Sequence, residues 1–121
     1  MALLQKVLHG PEALAANQTL RMATIEGAAA LGQADELGSL EAGKRADLMV
    51  VNLNTLHATP HARNLVSALV YSAEATDVRT VMVDGFVLMR DRQLLTLDEP
   101  QVLSDAERES RELIKRAGII A

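Results

Sequence analysis

Gly38-Ser39-Leu40-Glu41-Ala42-Gly43-Lys44-Arg45-Ala46-Asp47-Leu48, followed by Met49-Val50-Val51, is the stretch on which the fold turns. Two glycines five apart mark two tight turns, because glycine alone enters the left-handed backbone region without steric cost. An apolar run follows at once. The reading is a strand over 46–52 that is apolar on both faces, as in a buried sheet. At the strand's first position, the Asp47 carboxylate is placed to accept backbone N–H bonds from the preceding turn.

Working outward, Val78 to Val83 and Phe86 to Met89 are β-prone runs separated by Asp84-Gly85. That spacing predicts a two-residue hairpin, since both turn positions need positive φ. Residues 54–63 read as loop with Pro60 as breaker, and Asn64 to Ala73 as helix. Upstream, Leu3, Leu4, Val7 and Leu8 recur at helical spacing until Gly10-Pro11 stops them. A second helical pattern spans 12–31, with Asn17 as a partial cap, a kink and restart at Thr24, and Gly32 as its end. Downstream, Asp98 and Gln101 fit a capping box for an amphipathic helix over 99–117. Val102, Leu103, Ala106, Leu113, Ile114 and Ala117 form one face. Glu107–Arg111 and Glu112–Arg116 are i,i+4 pairs on the other, and Gly118 is the stop. The class is α+β: helices, strand, helix, hairpin, helix.

Composition narrows the function. The 121 residues are 49% hydrophobic, with Tyr71 and Phe86 the only aromatics, so the core must be aliphatic. The formal charge of −4 argues against nucleic acid, where Lys and Arg must displace counterions from phosphate. There is no cysteine, which excludes disulfides and thiolate metal sites and fits a cytoplasmic protein. No signal peptide is read at the start. No apolar run nears the roughly 20 residues that span a membrane.

His57 and His61 stand four apart, a spacing two zinc ligands can use on a helix. Here they flank Ala58-Thr59-Pro60, which breaks a helix, and His9 is far off in sequence. They read as loop histidines. Gly38 to Gly43 with Lys44-Arg45 is not a phosphate-binding loop, because Arg45 stands where a Ser or Thr must hold magnesium. Ser39, Ser67 and Ser72 have no defensible His–Asp partners in the sequence.

Taken together, these segments resemble the C-terminal part of the amidohydrolase superfamily. The glycine turns with Ala46-Asp47 resemble the start of its C-terminal sheet segment. Leu20 to Ala28 with Leu31-Gly32 is similar to the helical segment trailing the last barrel strand. Asn64-Leu65-Val66-Ser67, Leu69-Val70-Tyr71, Asp77-Val78, Val81 to Gly85 and Leu95 to Glu99 resemble a narrower branch. That branch holds the 5-methylthioadenosine/S-adenosylhomocysteine deaminases and the triazine chlorohydrolases. The pieces cover about residues 12–117 in the family's order.

The resemblance implies three parts. Residues 1–37 would be closing helices of a (β/α)8 barrel. Residues 38–98 would be the C-terminal strands of a small composite β-sandwich, with its hairpin at 84–85. Residues 99–121 would be the terminal helix. Such enzymes hydrolyse C–N or C–Cl bonds with one divalent metal, zinc or iron. The metal is held by a His-x-His pair, a later His and an Asp, while a further His and a Glu handle protons. None of those residues can be placed here, so no catalytic, cofactor-binding or metal residue carries over and no cofactor is expected in this chain.

The leading expectation is an incomplete amidohydrolase, inactive alone, with Met1 as an internal start, a partial gene or an expression boundary. Its partners would be a second copy or the missing N-terminal barrel part, with no nucleic acid and no membrane. The rival expectation is a stand-alone, non-catalytic α+β assembly or binding module.

Overall fold

The computed structural model describes residues 2–61 and 63–119. Helix α1 (Ala2–His9) ends where Gly10, at φ +94°, turns its N–H back to the Lys6 carbonyl at 3.0 Å. Helices α2 (Ala16–Ala23) and α3 (Ile25–Ala30) follow. Strand β1 (Leu48–Val51), helix α4 (Leu65–Tyr71) and a 3-10 turn (Ala75–Asp77) lead into β2 (Val78–Val83), β3 (Phe86–Arg90) and β4 (Gln93–Leu94). Helix α5 (Glu99–Arg116) closes the chain.

The four strands form one antiparallel sheet in the order β1-β2-β3-β4. Leu48 lies opposite Met82 and Val83 opposite Phe86. At the β2–β3 turn Asp84 and Gly85 have φ of 51° and 81°, the two positive values the sequence demands. Helix α2 packs on α3 and α4. Between these helices and the sheet runs an apolar groove of about 900 Å³, bordered by Leu20, Ala28, Leu37, Val51, Leu69 and Val81.

The glycine-rich stretch is the joint between the two layers. Gly38, at φ +88°, lies so close to α3 that a Cβ there would stand 2.8 Å from the Ile25 Cα. Lys44, its side chain largely buried, donates to the Ala34 carbonyl at 2.6 Å, and the Arg45 N–H bonds the Glu36 carbonyl at 3.0 Å. Both basic residues therefore fasten the turn to the chain before it. Arg45 also reaches Asp84 at 3.2 Å.

Several expectations need correction. The single helix over 12–31 is two helices starting at Ala16. They break at Thr24 (φ −125°, ψ −104°), whose hydroxyl bonds back to the Leu20 carbonyl at 2.7 Å and competes with the backbone ladder. Asn17 is not a cap; it lies inside α2, where Ala15 takes the N-cap position. The strand expected at 46–52 is shorter and is an edge strand, with Met49 64% and Val50 52% exposed. Asp47 accepts its N–H bond not from the preceding turn but from Asp84, at 2.6 Å, across the sheet.

On α5 the Glu107–Arg111 pair forms at 3.4 Å, but Glu112 pairs with Lys115 rather than Arg116. The Asp98 cap is made, its carboxylate accepting from the Gln101 N–H at 3.1 Å. The apolar face of α5 stays open to solvent.

Helix α4 begins as its sequence dictates, with the Asn64 side chain accepting from the Ser67 N–H at 2.9 Å. Removing an N-cap of this kind costs about 1 kcal/mol. Asn64→Ala should lower the unfolding free energy by about that amount in urea titrations, and Asn64→Asp should restore most of it.

The core is thin. The buried apolar residues are Ala16, Ala28, Ala58 and Ala68, and among the described residues no large side chain is fully buried. The chain exposes 9359 Å². A folded monomer of this length should expose about 6,300 Å².

Candidate functional site

The polar cluster of interest is built around the 3-10 turn. Asp77 is 5% exposed and sits at the end of that turn, immediately before β2. Its Oδ2 accepts from the Glu74 N–H at 2.8 Å and contacts His57 Nε2 at 2.7 Å. The Glu74 side chain in turn accepts from the Asp77 backbone, completing a reciprocal capping box. His57 Nε2 also lies 3.1 Å from the Thr55 hydroxyl. Arg92 donates to the carbonyls of Ala75 and Thr76 at 3.3 and 3.0 Å.

Electrostatics follow from these contacts. The Asp77 carboxyl is held below its ordinary range, first by the Glu74 N–H and then by His57, with Arg92 helping through its charge. The His57 imidazole is raised, chiefly by its bond to Asp77, with Glu74 adding a smaller attraction. His57 thus carries its proton toward Asp77, and the pair pins the 52–61 loop to the root of β2.

A cleft of about 370 Å³ opens beside the pair, with Pro60, Ser67, Tyr71 and Ser72 on its walls. A Ser, His and Asp therefore lie in one neighbourhood, which the sequence does not reveal because His57 and Asp77 are 20 residues apart. They do not form a nucleophilic triad. The Nε2 that bonds the carboxylate is the same nitrogen that meets Thr55. Among the described residues, neither Ser67 nor Ser72 has a hydroxyl hydrogen bond to His57, and a nucleophile needs its base in that position.

His61 is not drawn into the pair: its Nδ1 is buried with no hydrogen-bond partner among the described residues, while His57 is committed to Asp77. Among the described residues no three His, Asp or Glu side chains converge. A resident divalent ion takes at least three converging donors, and the described residues around His57 and Asp77 bring together fewer.

The model of the amidohydrolase family matches residues 1–88. The chain belongs to the amidohydrolase family. It is 52% identical over 115 residues to a 5-methylthioadenosine/S-adenosylhomocysteine deaminase of Desulforudis audaxviator, covering 94% of this chain and 26% of that protein. It is 39% identical over 124 residues to an S-triazine hydrolase of Gordonia rubripertincta, covering 98% of this chain and 26% of that one. Among solved structures, an adenosine deaminase from Xanthomonas campestris with bound zinc superposes with a TM-score of 0.84 at 38% identity, over 95% of this chain and 26% of that chain.

This amidohydrolase segment spans about a quarter of the length of the curated relatives it matches. The mixed helix-and-sheet fold agrees with theirs, and the family of hydrolases is metal-dependent. No helix among the described residues is long and apolar enough to cross a membrane.

Proposed function

We propose that this chain is the C-terminal quarter of a metal-dependent deaminase of adenine nucleosides, and that it serves that enzyme as scaffold. The observation that carries the reading is the 52% identity to the deaminase, against 39% to the triazine hydrolase, both confined to 26% of the relative.

In this reading residues 1–37 supply closing helices of the barrel, 38–98 the C-terminal strands of the composite β-sandwich, and 99–121 the terminal helix. The metal ligands and proton-handling groups lie in the remainder of the enzyme, so the segment has no catalytic or metal residue and is inactive alone. Its partner is that remainder, its place of action the cytoplasm, and it engages neither nucleic acid nor membrane. The exposed leucines and valines of α1 and α5 support this. Apolar faces of that size on a chain with an alanine core await covering by another surface. The hydrolytic nucleophile is a water activated by the divalent ion when that ion is bound elsewhere in the enzyme. The His57–Asp77 pair contributes by holding the 52–61 loop in place.

The test is reconstitution. The purified chain should carry no stoichiometric zinc or iron and release no ammonia from 5-methylthioadenosine or S-adenosylhomocysteine. Coexpression with the N-terminal three-quarters of a related deaminase should produce ammonia from those nucleosides and leave triazines untouched. One metal per chain after dialysis, with turnover of the lone chain above a His57→Ala/His61→Ala control, would refute the scaffold reading. A folded, soluble monomer that never complements would favour the stand-alone module.

A further inference from the structure

Of the aspartates and asparagines in the chain, Asp84 alone is followed by glycine. An Asp-Gly step is chemically weak for a general reason. The backbone nitrogen after the aspartate can attack its side-chain carboxyl carbon, and glycine puts no Cβ in the way. The Asp84 side chain is 58% exposed. A Cβ built on Gly85 would meet no atom beyond its chain neighbours within 4 Å. Water and the reacting atoms therefore have access to one another.

The fold nevertheless holds this step at three points. The Gly85 N–H donates to the Ala46 carbonyl at 3.2 Å. The Asp84 N–H donates to Asp47 Oδ1 at 2.6 Å, and Asp84 Oδ1 accepts from Arg45 Nε at 3.2 Å. The three partners are consecutive residues at the entry to β1. Asp84 and Gly85 keep φ of 51° and 81° in this turn. Closing a ring between the Gly85 nitrogen and the Asp84 carboxyl carbon requires rotation within the turn. It also takes the Gly85 amide proton away from the Ala46 carbonyl.

We propose that Asp84-Gly85 is a site of spontaneous isoaspartate formation and that Arg45-Ala46-Asp47 is its guard, so that the reaction runs only when the hairpin turn lifts off the β1 entry. The Gly85 nitrogen bonds to Cγ of the protonated Asp84 carboxyl. The Cγ–OH bond breaks, and the hydroxyl leaves with the amide proton as water. The product is a cyclic succinimide, and water then adds to either ring carbonyl. Breaking the nitrogen's bond to Cγ restores aspartate. Breaking its bond to the Asp84 backbone carbonyl carbon instead routes the chain through Cβ and Cγ. Water lost in the first step is regained in the second, so nothing is oxidised or reduced. The isoaspartyl form lengthens a two-residue turn whose ends, Val83 and Phe86, are cross-strand partners. It therefore separates the hairpin from the β1 entry.

The experiment is incubation of the purified chain at neutral pH in heavy-oxygen water, folded and in urea, with mass spectrometry of the peptide that holds residues 84–85. Each passage through the ring leaves one heavy oxygen at residue 84, and chromatography separates the isoaspartyl form. The folded wild type should take up label at least about tenfold more slowly than the unfolded chain, because the rate follows the population of the open turn. Asp47→Ala should take it up about tenfold faster than the wild type, the worth of one hydrogen bond to a charged group. Asp47→Asn keeps the acceptor for the Asp84 N–H and should stay near the wild type. Far-ultraviolet circular dichroism should be unchanged in both variants.

Label that enters the folded wild type as fast as in urea overturns the guard, and absence of label at residue 84 in urea overturns the site. A folded Asp47→Ala that matches the wild type removes Asp47 from the guard. If Asp47→Ala loses its fold, amide hydrogen exchange at Gly85 of the wild type decides. Exchange at the unfolded rate would show that the turn is not held. None of these results bears on whether the chain complements the rest of a deaminase.

Discussion

Gly38→Ala is expected to destabilise the chain by about 2–5 kcal/mol. Two costs combine. Gly38 has φ +88°, a backbone state in which a Cβ crowds the following carbonyl, at about 1–2 kcal/mol. Its Cβ would also stand 2.8 Å from the Ile25 Cα, 2.9 Å from the Ala28 Cβ and 2.9 Å from the Thr24 carbonyl oxygen. All three belong to α3 or its cap, so relief requires moving the helix, and overpacking of that kind costs about 1–3 kcal/mol. Gly43→Ala is the control. It has φ +93° and open space around it, so only the backbone cost applies. Urea denaturation of the two variants should separate them by the overpacking contribution, with the slope unchanged. Equal losses would mean that the 38–43 turn does not press on α3 in solution.

The second large effect is a pH profile centred on His57 and Asp77. The imidazole is raised from its ordinary 6.5, so its contribution is complete below 6.5 and is lost as pH rises through the folded value. The carboxyl is lowered from its ordinary 3.8, so its contribution is complete above 3.8 and is lost as pH falls through the folded value. Stability from the pair should therefore plateau between those limits and decline on both sides. Glu74 and Arg92 face the same turn and shape the flanks, the first by favouring His57 as a cation, the second by favouring Asp77 as an anion.

Asp77→Asn keeps an acceptor for the Glu74 N–H but removes the charge. Its profile should be flat through the region where the wild type declines on the alkaline side. Asp77→Ala also strands the Glu74 N–H and should cost more than Asn64→Ala, with faster hydrogen exchange across 52–61. Denaturant midpoints taken from about pH 3 to 9 test both. A wild-type profile that Asp77→Asn leaves unchanged would remove the pair from any structural role.

Where local chemistry alone decides a conformation, the sequence by itself determined it. Asp84-Gly85 made a hairpin because both positions must have positive φ, and they do. Asn64 and Asp98 capped their helices because a side-chain oxygen there meets an orphan N–H two or three residues on. The family was legible for the same reason, since turns, caps and strand starts stood in a fixed order, and the match over 1–88 agrees.

The tertiary structure decided what depends on distant partners. The β3–β4 turn uses Asp91 and Arg92 at positive φ without a glycine, with Arg92 tied to the Ala75 and Thr76 carbonyls, so no turn signature announced it. The carboxylate of Asp47 found the Asp84 N–H 37 residues away instead of its own turn. His57 and Asp77 met only because the loop folds back on the 3-10 turn. The strand at 48–51 is apolar on both faces in sequence, yet it became an exposed edge, because which strand lies at a sheet's border is set by strand order. Apolar pattern records which residues favour burial; whether their strand lies inside the sheet or at its border is decided by tertiary packing.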